Sequence, residues 1–379
     1  MSIIRAILYP LSIPFRMTFS HAEASRSVCD SYILALNDGK NSGYGELILR
    51  SYVNDPDKVL DSDKKISDKL SDMITLASAG NTDRLTPDEL KNRVHDIQWK
   101  KHELPLLAAI EGALLDLLCR SSNTDIYNLL GLPLQRETLV YGGVLPILSD
   151  DAMAGIIRIY QQISIPYMRV KLSKDLSYNK QVLKTVRESF GTDFDIRVDV
   201  NCAWDVETTV NHIKLLETSG VSLVEEPVGA DREKMVKLAS LTEGSGISYV
   251  ADESAVSFDD LDRIAADKTF SMLNLRLAKN GGLLRVLELS KRADAAGLKY
   301  QLGSHVGETG ILSVMGRIAA SLMKNPVYID GSFDDYLLSD NITTESYTFG
   351  NGGKAPVITG KKMGYDIDIS KLGKGIVIL

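Results

Sequence analysis

The spacing of hydrophobic residues divides the chain near residue 138. Residues 31–47, SYILALNDGKNSGYGEL, alternate apolar and polar positions around an Asn-Asp-Gly turn, which predicts an antiparallel hairpin. Between residues 57 and 130 the apolar positions follow a helical period, most clearly in LPLLAAIEGALLDLLCR. The first part of the chain is therefore predicted to combine strands and helices.

Downstream of residue 138, short apolar runs alternate with amphipathic helical stretches, which is typical of βαβ units. Five of these runs end beside charged residues at intervals of 24 to 28 residues, with one more run before them and two after them. The charged residues are Lys171, Asp199, Glu225, Asp252 and Arg276. Eight βα units in roughly 200 residues predict a (β/α)8 barrel of the TIM type rather than a doubly wound sheet. Side chains at the carboxyl ends of barrel strands face the active site, so we expect these five to converge.

Three of the converging side chains are carboxylates, those of Asp199, Glu225 and Asp252. Without a cation they would repel one another and raise one another's pKa values. Carboxylate oxygens with no histidine or cysteine beside them favour Mg2+, or Mn2+ as a substitute. The alternative is that each acid only caps the helix that follows it, because aspartate is a favoured N-cap residue. The three acids recur at the same position in successive βα units, and this regular spacing favours a metal site over helix capping.

Lys171 is the candidate general base. Arg169 lies two residues earlier, so both side chains are expected on the same face of the strand. A second cation this close disfavours the ammonium form and lowers the pKa of Lys171, as a base working near neutral pH requires. The alternative role for Lys171 is neutralisation of the carboxylates. A lysine base beside metal-binding carboxylates suits abstraction of a proton next to a substrate carboxylate, where the metal stabilises the enolate.

Composition narrows the class of partner. The chain has 379 residues, 44% of them hydrophobic, so it can bury a large core. Its net charge of −7 comes from interspersed signs without a basic run, which argues against nucleic-acid binding. The apolar runs are too short to span a membrane, and three separated cysteines fit neither a disulfide framework nor a zinc motif. We therefore expect a cytoplasmic enzyme that acts on a small molecule.

The motifs at the predicted strand ends resemble those of the enolase superfamily, and within it the muconate-lactonizing (muconate cycloisomerase) subgroup. RVKL resembles the segment with the catalytic lysine, here Lys171. DVN, VEEP and ADES resemble the three metal-ligand motifs, and NLRLAKNGG resembles the segment after the sixth strand. The resemblance implies Mg2+ held by Asp199, Glu225 and Asp252, a carboxylate substrate, and an assembly of identical subunits.

The resemblance also implies how the chain is divided. An α+β capping domain would cover residues 1–130, the barrel residues 136–345, and a C-terminal segment returning to the capping domain residues 346–379. Substrate specificity would come from the loops of the capping domain and from the ends of the later strands.

Two positions depart from the resemblance, because Arg169 replaces the first lysine of a pair and Arg276 replaces the second catalytic lysine. Arginine keeps its proton, so Arg276 can supply charge and hydrogen bonds but cannot act as a base. One-base reactions, cycloisomerisation or syn β-elimination, therefore fit best, with Lys171 moving the proton in both directions. Two alternatives stay open. One is a racemase or epimerase, such as a dipeptide epimerase, with an unusual second acid or base, for which Lys279 is a nearby substitute. The other is a homologue that binds a carboxylate without turning it over.

Candidate substrate contacts come from the capping loops and from the residues that follow the strands. They are His21, Arg26, Tyr52, Asn201, Lys279, Ser304 and Asp330. Asp330 stands where dipeptide epimerases of the subgroup begin an Asp-x-Asp pair that holds an ammonium group, but the second position is Ser332, which weakens the dipeptide interpretation. His305 and Glu308 are as compatible with packing and with a helix start as with binding.

Overall fold

The computed structural model describes residues 3–20, 25–54, 60–78, 86–360 and 362–379. Its N-terminal part is an antiparallel sheet with a helical layer packed against it. The strands are β1 (Arg5–Pro10), β2 (Ile13–Ser20), β3 (Ser25–Cys29), β4 (Tyr32–Asn37) and β5 (Ser42–Leu47). The helices are α1 (Ser51–Asn54), α2 (Asp63–Ser78), α3 (Pro87–Asp96), α4 (Leu104–Ser122) and α5 (Ile126–Leu130). The predicted hairpin is confirmed, since β4 and β5 pair in antiparallel register, and β2 and β3 form a second hairpin.

Two glycines in β5 allow α4 to lie directly on the sheet. A Cβ atom at Gly45 would be 2.0 Å from the carbonyl oxygen of Ala109, and one at Gly43 would be 2.2 Å from that of Ala113. Between them, the amide of Tyr44 donates to the buried carboxylate of Asp116 at 3.0 Å. The sequence GYG therefore fixes the main helix of the capping part against its sheet.

Eight parallel strands form the second part, and the predicted (β/α)8 barrel is confirmed. They are β7 (Gly143–Leu145), β8 (Tyr167–Lys171), β9 (Asp195–Asp199), β10 (Leu223–Glu225), β11 (Ser248–Ala251), β12 (Met272–Arg276), β13 (Lys299–Gly303) and β14 (Pro326–Ile329). The amide of Gly142 donates to the carbonyl oxygen of Ile329 at 3.0 Å, which joins the two edge strands.

The helices that connect these strands differ in length. They are α6 (Asp150–Gln162), α7 (Leu176–Phe190), α8 (Val206–Thr218), α9 (Arg232–Leu241), α10 (Phe258–Asp267), α11 (Leu277–Asn280), α12 (Leu283–Ala296), α13 (Gly310–Leu322) and α14 (Asp334–Leu337). The helix after β14 has only four residues, whereas α6 on the neighbouring side of the closed sheet has 13. The barrel wall between α6 and α14 is therefore not covered by a full-length eighth helix.

The first apolar run of the barrel, residues 139–144, divides into two strands. Thr138–Val140, here β6, pairs in antiparallel register with β15 (Lys354–Pro356), and the first barrel strand begins only at Gly143. The last strand, β16 (Ile376–Val377), pairs with β1 of the N-terminal sheet. The C-terminal segment thus contacts both parts of the chain, and the domain boundaries stay a prediction. No helix in the described part of the chain is long and apolar enough to cross a membrane.

Candidate functional site

The carboxyl ends of five successive barrel strands carry the charged residues that the sequence singled out. Four of the strands end on such a residue, and Asp252 directly follows β11. The five residues are Lys171, Asp199, Glu225, Asp252 and Arg276, and all are buried. Arg276 contacts Glu225 and Asp252, Lys171 contacts Asp199, and Arg169 bridges Asp199 and Glu225, so the five residues belong to one network at this end of the barrel.

Lys171 is held by two acceptors on the next strand. Its Nζ donates to Asp199 Oδ2 and, at 2.7 Å, to Asn201 Oδ1, while the amide of Asn201 donates to Asp199 Oδ1 at 2.9 Å. Burial lowers the pKa of Lys171, and the charge of Arg169 adds to this effect, although the carboxylate of Asp199 opposes it. The predicted direction of the shift is therefore confirmed, but its largest cause is burial rather than the neighbouring arginine.

Glu225 has donors around both carboxylate oxygens. Arg169 Nη1 and Asn274 Nδ2 each donate to Oε1 at 2.8 Å, and Gln301 Nε2 donates to Oε2 at 2.9 Å. Burial would raise the pKa of Glu225, but the charges of Arg169 and Arg276 outweigh it and hold the pKa below its usual range. Glu225 is thus kept ionised inside the barrel.

Asp252 is shared by two cations. Arg276 Nη2 donates to its Oδ2, and Lys279 Nζ donates to its Oδ1 at 2.8 Å and to its backbone carbonyl oxygen at 2.7 Å. Lys279 also donates to the carbonyl oxygen of Asn274 and is fully buried. All of these Lys279 contacts hold the β11 end against the β12 end, on the side of Asp252 that faces into the protein.

Helix capping does not explain these three acids. The helices that follow them, α8, α9 and α10, are capped by the side chains of Asp205, Asp231 and Ser257. Each cap accepts a backbone amide in the first helical turn, so those helix starts already have their partners. The carboxylates at the strand ends are therefore not needed as helix caps.

Strained backbone lies directly beside the strand ends. Asn201, Cys202 and Glu226 have φ of 45°, 60° and 41°, a region that costs non-glycine residues energy. Glu226 is held there because its carboxylate accepts the amides of Asp252 at 2.6 Å and of Ser254 at 3.2 Å. Burial raises the pKa of Glu226 to about 7. This second glutamate of VEEP therefore braces the strand ends, a role that the sequence reading did not assign.

The donor set fits a hard divalent cation in its chemistry. Asp199, Glu225 and Asp252 offer carboxylate oxygens from neighbouring strands, and burial together with the charge of Glu225 raises the pKa of Asp199, which a bound cation would reverse. Two guanidinium groups compete for these oxygens, since Arg169 Nη1 lies 3.4 Å from Asp199 Oδ2 and Arg276 Nη2 lies 3.6 Å from Glu225 Oε1. In the described residues no three acidic, histidine or cysteine side chains are grouped closely enough to hold an ion. The assignment of the three acids as metal ligands stays a prediction.

A cavity opens above this network, and some of the predicted site residues line it. Its charged end is lined by Arg169, Lys171 and Arg276, with Asn201, Tyr52, Ser304, His305 and Glu308 beside them. Tyr52, Asn201 and Ser304 thus lie where the sequence placed candidate substrate contacts. Lys279 does not line the cavity, and His21 lies outside the described residues.

Two other candidate contacts are occupied by partners within the protein. Arg197 Nη2 donates to both carboxylate oxygens of the buried Asp330, at 2.5 and 2.6 Å. Arg169 Nε lies 3.3 Å from the same carboxylate. Arg26 Nη1 donates to Asp30 Oδ2 at 2.5 Å, and Asp30 also pairs with Arg50 at 3.0 Å. Neither Asp330 nor Arg26 lines the cavity, so the structure does not bring these two residues to the predicted substrate.

The loop after β13 contributes two titratable groups that the sequence left undecided. Arg276 Nη1 lies 3.5 Å from Nδ1 of the buried His305, and burial together with the charge of Arg276 lowers the pKa of that imidazole well below its usual value. Glu308 Oε1 accepts the amide of His305 at 2.7 Å. Burial raises the pKa of Glu308 to about 8, and this side chain lines the cavity. The motif GSHVGETG gave no signal for which of its polar groups would point inward.

The comparisons with known proteins agree on one family. Residues 156–370, more than half of the chain, match the family described as "Enolase C-terminal domain-like". Chloromuconate cycloisomerase of Cupriavidus necator is 29% identical over 271 residues, which are 70% of this chain and 71% of that protein. L-Ala-D/L-amino acid epimerase of Flavobacterium johnsoniae is 26% identical over 343 residues, which are 90% of this chain and 93% of that protein.

Solved structures with the same fold come from similar proteins. A dipeptide epimerase from Enterococcus faecalis, described as complexed with Mg and the dipeptide L-Leu-L-Tyr, superposes with a TM-score of 0.80 at 21% identity. The alignment covers 97% of this chain and 100% of that one. This likeness shows that the two proteins share a fold.

Proposed function

We propose that this chain, which belongs to the enolase superfamily, is a member of its muconate-lactonizing subgroup and abstracts the proton α to a substrate carboxylate by a one-base mechanism. The observation that carries the proposal is the different placement of Lys171 and Lys279. Lys171 lines the cavity, whereas Lys279 is fully buried against Asp252. Cycloisomerisation or syn β-elimination needs only the first of these lysines.

Lys171 would take the proton from the substrate and return it on the same face. Burial lowers its pKa, so a larger share of the side chain is neutral near pH 7 than for an exposed lysine. Asn201 accepts from Nζ at 2.7 Å and orients it. The proton-transfer group is therefore positioned before substrate binds.

Arg276 would stabilise the negative charge that develops on the substrate. β8 and β12 are four strands apart in the eight-stranded sheet, so Arg276 faces the cavity from the side opposite Lys171. A guanidinium group there donates hydrogen bonds without releasing its proton. Arg169 and Arg276 line this end of the cavity but are paired with the carboxylates beneath it, so a bound cation that takes over those carboxylates would leave both guanidinium groups available to a carboxylate substrate.

We include Mg2+, or Mn2+, in the proposal, with Asp199, Glu225 and Asp252 as the residues that would hold it. When bound, the cation would supply positive charge beside the substrate carboxylate and favour the enolate. Arg276 would have to release Asp252 Oδ2, and its guanidinium group would then be free for substrate. Homo-oligomeric assembly and a cytoplasmic location also stay predictions.

The test is exchange of α-protons with D2O, followed by NMR across a library of carboxylic acids in the presence of Mg2+. We expect exchange on one face only, lost in Lys171→Ala and retained in Lys184→Ala, which removes an exposed lysine from α7. Exchange that survives in Lys171→Ala contradicts the one-base proposal. Binding of acids without exchange of any α-proton would instead identify a carboxylate-binding homologue.

A second candidate function, racemisation or epimerisation, has one observation in its favour. Glu308 lines the same cavity, and its pKa is raised to about 8 by burial, so it could donate and accept a proton near neutral pH. Exchange on both faces in the wild type, reduced to one face in Glu308→Gln, would select this function. Unchanged one-face exchange in Glu308→Gln would exclude it.

A further inference from the structure

The cavity above Lys171 has a charged end and an apolar end. The apolar end is formed by one strand of the capping part and by the two helices that flank the join of the barrel sheet. Six of its lining residues are Met17 and Phe19 from β2, Ile156 and Ile159 from α6, and Phe333 and Tyr336 at α14. The two ends belong to one continuous cavity, so a single ligand can contact both.

The last barrel helix, α14, has only four residues and lies beside the apolar end. Large hydrophobic side chains on both sides of the cleft are open to solvent. Ile159 is 47% exposed and Tyr336 is 40% exposed, although both lie beside the entrance to a buried site. Covering such side chains with another apolar group is favourable, at about 25 cal/mol per Å² of surface removed from water.

The acidic groups near the apolar end are already neutralised or hydrogen-bonded within the protein. Asp334 accepts from Ser313 Oγ at 2.7 Å and from Asn341 Nδ2 at 2.8 Å. Asp330 is held by Arg197 and does not line the cavity. Asp334 lines the cavity, but both of its carboxylate oxygens already accept a hydrogen bond, so an ammonium group placed in the cleft would lose its water and gain only a carboxylate shared with these donors, which is costly.

We propose that the substrate is a carboxylic acid with an uncharged apolar tail, and that this tail lies in the cleft between β2, α6 and α14. The carboxylate lies at the end with Arg169 and Arg276, which places the α-carbon within reach of Lys171. The inference rests on the proposed function for the position of the carboxylate, and on the lining of the cleft for the nature of the tail. It excludes substrates whose distal group is an ammonium or a second carboxylate.

The test uses a series of saturated straight-chain carboxylates, butanoate, hexanoate and octanoate, titrated calorimetrically into the Mg2+-loaded protein. We expect affinity to rise about fourfold for each methylene that enters the cleft. ω-Aminohexanoate and the dicarboxylate suberate, which carry a charge at the far end, should bind more weakly than hexanoate and octanoate respectively. Equal affinities along the series, or tighter binding of the charged acids, would overturn the proposal.

Two variants test whether the dependence of affinity on chain length arises in the cleft. Ile159→Glu places a charge on an already exposed position of α6, so folding is not at risk, and it should remove the dependence on chain length. Val210→Glu is the matched control, because Val210 is 38% exposed on α8 and does not line the cavity. It should keep the full dependence. If Ile159→Glu retains it as well, the tail binds elsewhere and the proposal is wrong.

The same acids separate this inference from the proposed function. Chain-length dependence without exchange of any α-proton in D2O would leave the apolar cleft standing and remove the catalytic role of Lys171. Exchange without chain-length dependence would leave the catalytic role standing and remove the cleft.

Discussion

Lys171 and Lys279 are two buried lysines at the same end of the barrel, and they differ in what they can reach. Burial lowers the pKa of both, to about 7 for Lys279. Lys171 faces the cavity, whereas Lys279 donates to two oxygens of Asp252 and to the carbonyl oxygen of Asn274. A lowered pKa therefore does not by itself identify a base, because a base must also reach the proton that it removes.

The largest expected effect is the loss of activity on removal of divalent cations, since both lysines contact a predicted metal ligand. Chelation should abolish α-proton exchange, and Mg2+ or Mn2+ should restore it. Asp199→Asn, Glu225→Gln and Asp252→Asn should each weaken Mn2+ binding in calorimetry, because each removes a charged oxygen ligand. Asp193→Asn, at an exposed position before β9, is the control. Unchanged Mn2+ affinity in all three site variants would remove the basis of the metal assignment.

The comparison of the two lysines is tested directly by Lys171→Ala. Loss of a general acid/base costs roughly 100- to 10,000-fold in rate, and we expect a loss in that range in α-proton exchange measured by NMR. Lys171→Ala also removes one partner of the buried ion pair with Asp199, so the unfolding midpoint should be compared with Mn2+ bound, where the cation would neutralise Asp199 and the midpoint should stay close to that of the wild type. Near-normal exchange would mean that another group takes the proton.

Lys279→Met should act on stability rather than on proton transfer. Removing one partner of a buried ion pair costs roughly 3–5 kcal/mol, and because Arg276 still pairs with Asp252 in this variant, we expect a loss at or below the lower end of that range. Urea unfolding measures this loss, and Lys291→Met at an exposed position of α12 provides the matched control. A variant as stable as the wild type but unable to exchange α-protons would make Lys279 the second base after all.

Two substitutions of Arg276 separate the effect of its positive charge from the effect of a side chain that can release its proton. Arg276→Met should lower the rate of exchange by about 100-fold, because one well-placed donor contributes on the order of 3 kcal/mol to transition-state stabilisation. Arg276→Lys keeps a cation and should retain part of the activity. It also introduces a side chain that can lose its proton, so exchange on the second face of the substrate in this variant would support the one-base reading of the wild type.

Glu111 extends the comparison to a buried group far from the cavity and gives the smallest expected effect. Its carboxylate accepts the amide of Leu284 at 3.2 Å, and burial raises its pKa from 4.5 to about 8. The folded protein then holds a proton that the unfolded chain releases, so the free energy of unfolding should fall as pH rises through this window, by up to about 1.4 kcal/mol per pH unit. Glu111→Gln should reduce this slope in urea unfolding measured at two pH values within the window. An unchanged slope would place the titration elsewhere.

The strand ends were predictable because they depend on local sequence. A run of apolar residues that stops at a charge marks the place where a buried strand leaves the barrel wall, and this holds at Lys171, Asp199, Glu225 and Arg276. The residues 139–144 were read as one strand because the apolar pattern continues through Tyr141 and Gly142. Only pairing with Lys354–Pro356 divides them, and that segment lies more than 200 residues away.

The candidate substrate contacts were less predictable, since they depend on which partner a side chain finds. Asp330 directly follows its strand just as Asp252 does, yet its carboxylate is held by Arg197 from β9. Glu308 lies in a loop with no periodicity, and its raised pKa comes first from burial, which the local sequence does not indicate. The identity of a polar residue does not determine how much water surrounds it in the folded protein.

By itself the sequence determined the barrel and the order of its charged strand ends, which follow from the period of the chain and from the fixed chemistry of each side chain. Its resemblance to the enolase superfamily identified Arg276 as standing where a second catalytic lysine is expected. The tertiary structure alone decided that Lys171 faces the cavity while Lys279 does not, and that an apolar cleft lies beside the site and the short last helix. Access and burial depend on atoms from segments far apart in the chain, so no local pattern encodes them.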